Sequence, residues 1–152
     1  MSIIVCDTCS IIKLQKGGVI DLLGEVYDKV YIPYAVKEEC FKGAAKEAIK
    51  KPFFEVVPVR VVLPLHMGAG ERESISLALE LGIEDILTDD KRAINSAIKN
   101  NLVPMTAFDF LLISKEIGLI SQIKPVLDQM RIEREGIEEW KYQYFLNEAG
   151  EL

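Results

Sequence analysis

Asp7, Glu39, Glu71, Asp89 and Asp90 are the residues of this 152-residue chain whose positions point to chemistry. Asp7 ends the apolar run Ile3-Ile4-Val5-Cys6, and Asp89-Asp90 end the run Ile86-Leu87-Thr88. Short continuous apolar runs read as strands covered on both faces, as in a parallel sheet. Parallel strands put both sets of acids at one carboxyl edge, where open α/β sheets bind ligands. On a helix starting at Tyr34, Glu39 shares its stripe with Val36, Cys40 and Gly43, so it is expected to face inward. Glu71 falls in the first turn of another helix, in line with Ile75, Ala78 and Leu79.

Each acid also has a structural role open to it. Asp7, Asp89 or Asp90 could cap the helix that follows, and Glu71 could complement a helix dipole. Gathered at one edge, however, carboxylates repel unless a cation joins them. For oxygen donors the natural counter-charge is a hard divalent ion, Mg2+ or Mn2+. Thr8 and Thr88 stand beside the acids as candidate hydrogen-bonding supports. Lys13, Lys37, Lys91 and Arg92 flank them, either as phosphate contacts or as solvated charge.

The elements that must position these residues alternate. Strands are expected at Ile3–Cys6, Val30–Ile32, within Phe54–Val62, at Ile86–Thr88 and at Leu102–Met105; Pro58 and Pro104 mark the third and last as edges. Helices are expected after Asp7 as far as Gly17-Gly18, from Val19, from Tyr34 to Lys50, from Gly70 to Leu81, from Asp90 to Asn100 and from Thr106 to Ile117. Residues 121–152 read as two amphipathic helices hinged at Gly136 and packed on the rest of a single domain, 1–152. This alternation is the signature of an α/β fold with a parallel sheet. Thr106 and Asp109 have the spacing of a capping box.

Composition narrows the partners. Acids outnumber Lys and Arg by 24 to 18, the formal charge is −6, and 49% of residues are apolar. A domain of this size buries roughly 68–70% of its unfolded surface. The acid excess argues against coating nucleic acid by bulk charge, though not against meeting a polyanion at one site. No apolar run approaches the roughly 18 residues of a membrane span, and the N-terminus has no basic region of a signal peptide. Cytoplasmic residence is therefore expected. Cys6, Cys9 and Cys40 are too few for a disulfide scaffold, and with His66 isolated they make a poor zinc set.

Three further signals are weak. An acid inside Cys6-Asp7-Thr8-Cys9 would raise thiol pKa, against a thiol oxidoreductase. Gly68-Ala69-Gly70-Glu71 lacks the Lys-Ser/Thr of a phosphate-binding loop and reads as a turn that lets Glu71 approach. Trp140, Tyr142, Tyr144 and Phe145 are not interleaved with enough basic residues for a stacking platform and read as core or interface.

The order of these segments resembles the PIN-domain family. The resemblance rests on Val5-Cys6-Asp7-Thr8, Pro33-Tyr34-Ala35-Val36-Lys37-Glu38-Glu39, Gly70-Glu71-Arg72-Glu73-Ser74-Ile75 and Leu87-Thr88-Asp89-Asp90. Lys115-Glu116-Ile117-Gly118-Leu119-Ile120 and Ala149-Gly150-Glu151 are similar to an uncharacterised prokaryotic branch. The resemblance implies a three-layer α/β/α fold with a parallel sheet of about five strands and an acidic cleft. It further implies Mg2+- or Mn2+-dependent cleavage of phosphodiester bonds, usually in RNA. Asp7, Glu39, Glu71 and Asp90 match the family's catalytic acids, with Asp7, Asp90, Asp89 and Glu71 as metal ligands. Expected partners are an RNA substrate, a small antitoxin-type protein and a second copy of the chain. Cys9 replaces a small hydroxyl residue, and Ile94 an arginine common in this branch. Two other readings stand beside the endoribonuclease. One is a haloacid-dehalogenase-like phosphohydrolase, weakened because Cys9 occupies the place of its second Asp. The other is a catalytically weak PIN-like binding module.

Overall fold

A computed structural model describes residues 2–43, 45–132 and 137–152. In chain order the elements are β1 (Ile3–Cys6), α1 (Thr8–Lys16), α2 (Leu22–Val26), β2 (Lys29–Ile32), α3 (Tyr34–Phe41) and β3 (Phe54–Val56). They continue with α4 (Ala69–Leu81), β4 (Asp85–Leu87), α5 (Lys91–Lys99), β5 (Val103–Met105), α6 (Ala107–Glu116), α7 (Lys124–Ile132) and α8 (Glu139–Glu148). The strands form one sheet in the order β3-β2-β1-β4-β5, with every pairing parallel. β3 and β5 are the edges; Pro104 lies within β5, whereas β3 ends at Val56 and Pro58 falls in the connection beyond it.

Strand side chains alternate between faces, and β1 shows the consequence. Ile4 and Cys6 enter one core cluster with Ile11 of α1, Leu23 of α2, Phe110 of α6, Leu127 of α7 and Leu146 of α8. Val5 enters the other with Ile75 and Ala78 of α4 and Ala93 and Ala97 of α5. The sheet is thus the middle of three layers. Among the described residues no helix is long and apolar enough to cross a membrane.

The helix starting at Tyr34 stops at Phe41, well short of Lys50. Lys42 and Gly43 leave the helical path, and the chain turns so that Ala45 and Ala48 are buried in the first cluster before a 3-10 turn at Ala48–Lys50. A continued helix would keep those alanines away from the core. Gly82 ends α4 in the left-handed conformation, φ 67°, and Thr106 and Asp109 form the full capping box of α6. Gly136, the expected hinge, lies outside the described residues; α7 and α8 form on either side of it.

The Lys115 and Ala149-Gly150-Glu151 segments, separate in sequence, meet in space. The Lys115 ammonium donates to the Ala149 carbonyl at 2.5 Å and to Glu151 Oε2 at 2.9 Å. The backbone amides of Ile123 and Lys124, at the start of α7, donate to the same carboxylate at 2.8 and 2.9 Å. Burial alone would raise the pKa of Glu151; the bonds from Ile123, Lys115 and Lys124 outweigh it and hold the carboxyl below its usual range. Glu151 therefore latches the chain end to α6 and α7. Replacing Glu151 with Ala is expected to lower the unfolding free energy by about 2 kcal/mol, seen as a lower urea midpoint. Because the folded pKa is depressed, the wild-type contribution is complete above the ordinary glutamate range and disappears as pH falls through the folded value.

Candidate active site

β2 lies on one side of β1 and β4 on the other. The helices that follow β1 and β4, α1 and α5, pack on opposite faces of the sheet. A crevice opens at the carboxyl ends of two such strands. Asp7 and the Thr88-Asp89-Asp90 segment stand there.

Asp7 is 1% exposed, and its amide donates to the Leu87 carbonyl at 3.1 Å, joining β1 to β4 at the last rung. Its Oδ1 accepts the Ser10 amide at 3.1 Å and so caps α1, while Oδ2 accepts the Thr88 hydroxyl. Burial pushes the Asp7 carboxyl up to about 7; the bonds from Thr88 and Ser10 pull the other way, and the charge of nearby Asp89 adds to the rise. Among the described residues no cationic side chain pairs with it.

Hydroxyl groups tie the other acids to Asp7. Thr88 Oγ1, which donates to Asp7, accepts the Asp90 amide at 3.3 Å, and Asp90 Oδ1 caps α5 through the Ala93 amide at 2.9 Å. Ser10 Oγ donates to Asp89 Oδ2 at 2.8 Å. Asp89 Oδ1 accepts the Ala107 amide at 3.1 Å and lies 3.6 Å from the Lys13 ammonium. Asp89 is thus committed to α1 and α6, whereas Asp90 engages α5 through one oxygen. A cleft of about 270 Å³ lies alongside, lined by Cys9, Ile12, Lys13, Asp89 and Asp90. A larger cavity of about 420 Å³ sits by the Lys115 latch and contains none of these acids.

Glu39 and Glu71 approach from α3 and α4. Glu39 is exposed, yet its Oε1 accepts the Thr8 hydroxyl at 2.8 Å. A Cβ on Gly70 would come within 2.1 Å of that oxygen, and one on Gly68 within 2.3 Å of Glu71 Oε2. The two glycines make room for one carboxylate each. Glu71 is half-buried, and its charge, after burial and Asp7, helps raise the Cys9 thiol to about 11.

Of the candidate cations, the structure brings Lys13 to the acids. Lys91 and Arg92 are exposed beside Asp90 at the start of α5, and Lys37 lies against the rings of Tyr34 and Phe41 on the outside of α3. Two positions escaped the sequence reading. Ser10 bridges Asp7 and Asp89, and its signal was the Asp-x-x-Ser spacing of a helix cap. Glu73 accepts the Ala35 amide at 3.3 Å at the start of α3, a contact across 38 residues that no local pattern announces.

A family model for the PIN domain matches residues 3–151. The chain is a PIN-domain protein. No curated protein and no solved structure matches it. PIN domains are in general nucleases and typically use divalent metal ions. The donors of this PIN domain suit such an ion: carboxylate and hydroxyl oxygens surround a buried carboxylate without a cationic partner. Among the described residues no three acidic, Cys or His side chains form a ready-made cage.

Asp7 yields a pH prediction for the metal-free protein. Its folded pKa lies above the unfolded one, so the folded state holds the extra proton between about 4 and about 7 and loses stability as pH rises through that window. Asp7→Asn is expected to remove this dependence and raise the melting temperature in EDTA at pH 8. An unchanged pH profile would show that Asp7 is not the group responsible.

Proposed function

We propose that this PIN domain is a Mg2+- or Mn2+-dependent endoribonuclease that cleaves phosphodiester bonds of single-stranded or structured RNA. The supporting observation is Asp7, a buried carboxylate at the switch point of the sheet with neighbouring acids and no cation of its own. PIN-domain nucleases bind RNA and often pair with antitoxins. A small antitoxin-type protein and a second copy of the chain are the partners we assign to this one, and the cytoplasm its compartment.

Asp7 and Asp90 are the direct ligands in this scheme. Asp7 is fixed from two sides by Thr88 and Ser10, and Asp90 is held by its cap and its bond to Thr88. Asp89 positions α1 and α6 around them, while Glu39 and Glu71, brought in by α3 and α4, would complete the set of acids that holds the ion. When bound, the ion activates water and stabilises the leaving oxygen of an in-line displacement. Thr8 orients Glu39, and Lys13, Lys91 and Arg92 offer charge to the phosphates on either side. The phosphohydrolase reading loses further ground because Cys9, where a second carboxylate is needed, carries a thiol raised to about 11 and stays neutral.

Labelled single-stranded RNA and a small phosphomonoester, each with Mn2+ or EDTA, test the proposal. RNA cleavage is expected in Mn2+ alone. Asp7→Asn should reduce it by more than roughly 100-fold, beyond the roughly 10–100-fold cost of losing a group that only supports a metal ligand, while Asp89→Asn should fall inside that range. Turnover of the phosphomonoester alone would overturn the nuclease in favour of the phosphohydrolase. Inactivity on both, with tight binding of a protein partner, would favour the binding module.

A further inference from the structure

The four C-terminal aromatics divide by face. Tyr142 and Phe145 are buried, at 7% and 8% exposure, whereas Trp140 and Tyr144 are 62% and 52% exposed. Four residues apart on α8, Trp140 and Tyr144 stand on the same side of the helix. One cation beside them is local, and a second, from α1, shares the Phe108 ring with it. Lys141 Nζ lies 5.7 Å from the Trp140 ring and 5.6 Å from the Phe108 ring. Lys13 Nζ lies 5.3 Å from that same Phe108 ring and 3.6 Å from Asp89, and it lines the cleft. Contacts therefore lead from the acids through Lys13, the buried ring of Phe108 and Lys141 to the open ring of Trp140.

We infer that Trp140 and Tyr144, with Lys141 and Lys13, form a stacking platform for the single-stranded part of a nucleic acid substrate beside the acidic cleft. Aromatic faces that accept any base, next to ammonium groups that follow the backbone, are what sequence-tolerant single-strand binding requires. Of the acids on this stretch of α8, Glu139 is paired with Arg131 at 2.7 Å and accepts Gln143 at 3.0 Å, while Glu138 keeps its charge but accepts the indole N–H of Trp140 at the edge of the ring, away from its faces. Lys141, held by rings and by no carboxylate among the described residues, is the cation on this face that can turn to a phosphate. The choice of nucleic acid as occupant rests on the nuclease reading, but the platform has its own readout.

Trp140 is the single tryptophan of the chain, so intrinsic fluorescence reports on this face alone. The full-length Asp7→Asn protein in Mg2+ would be titrated with a labelled, unstructured oligouridylate of roughly ten nucleotides. Trp140 fluorescence should be quenched with the same midpoint as the rise in oligonucleotide anisotropy. Adding Trp140→Ala or Tyr144→Ala should weaken binding by about tenfold each, read by anisotropy. Lys141→Gln should weaken it and reduce the salt slope by about 0.7. Tyr144 packs edge-on against Phe145 at 5.1 Å, so Trp140→Ala, at the more exposed position, is the change that leaves the core untouched.

Binding without quenching, unchanged affinity in both aromatic variants, or no binding at all would overturn the platform. So would Trp140→Ala splitting a dimer in sedimentation while leaving oligonucleotide affinity unchanged, which would assign the face to a second copy. The two readings fail separately. Quenching without metal-dependent cleavage by the wild type overturns the nuclease alone, whereas cleavage with an unchanged KM in Trp140→Ala overturns the platform alone.

Discussion

The buried carboxylate of Asp7 is the constraint on which the rest of the site depends. A carboxylate with 1% exposure at the end of a central strand is costly, and its environment is organised to hold it. Its two hydrogen bonds come from different parts of the chain, Ser10 at the start of α1 and Thr88 at the end of β4. Through Thr88 the network reaches Asp90 and α5, and through Ser10 it reaches Asp89 and α6. One acid thereby sets the relative placement of two strands and three helices.

Capping, which the sequence presents as the alternative to ligand binding for these acids, is what they do here, and it leaves ligand binding open to them. Asp7 caps α1, Asp90 caps α5, and Asp89 accepts the first amide of α6. Three helix N-termini thus point their unpaired amides and positive dipole ends at one sheet edge, which lowers the cost of concentrating carboxylates there. A carboxylate oxygen has more than one acceptor site, so an oxygen that caps a helix is not used up. The caps immobilise these carboxylates, and immobile oxygens are what a small, strictly octahedral ion favours.

What was legible in the sequence was what local pattern controls. The apolar runs ending in Asp7 and Asp89, the proline-marked edge strands, the Gly82 terminus and the Thr106–Asp109 box all follow from alternation and capping within a few residues. What was not legible depends on distant partners. The end of α3 is set by the burial of Ala45 and Ala48, not by helix propensity. Glu39 shares a stripe with buried Val36 and Cys40, yet at the edge of that stripe it is exposed and held by Thr8 across 31 residues. The link from Lys141, the sequence neighbour of Trp140, to the acids was not legible because it runs through Phe108 of α6 and Lys13 of α1.

The two departures from the family pattern can now be weighed by position. Cys9 lines the cleft but takes no part in the hydrogen bonds that hold the acids, which come from the hydroxyls of Thr8, Ser10 and Thr88. With its thiol raised to about 11, it adds no charge to a crowded anionic site at neutral pH. The support a hydroxyl at that place would give is carried by the next residue, Ser10, whose amide and hydroxyl serve different acids. Ile94 removes a cation from α5, half-buried one turn after the Asp90 cap. Lys13 already puts an ammonium on the opposite wall, where its pairing with Asp89 keeps it extended toward the cleft. Lys13 also stands where the contacts toward Phe108 and Lys141 begin.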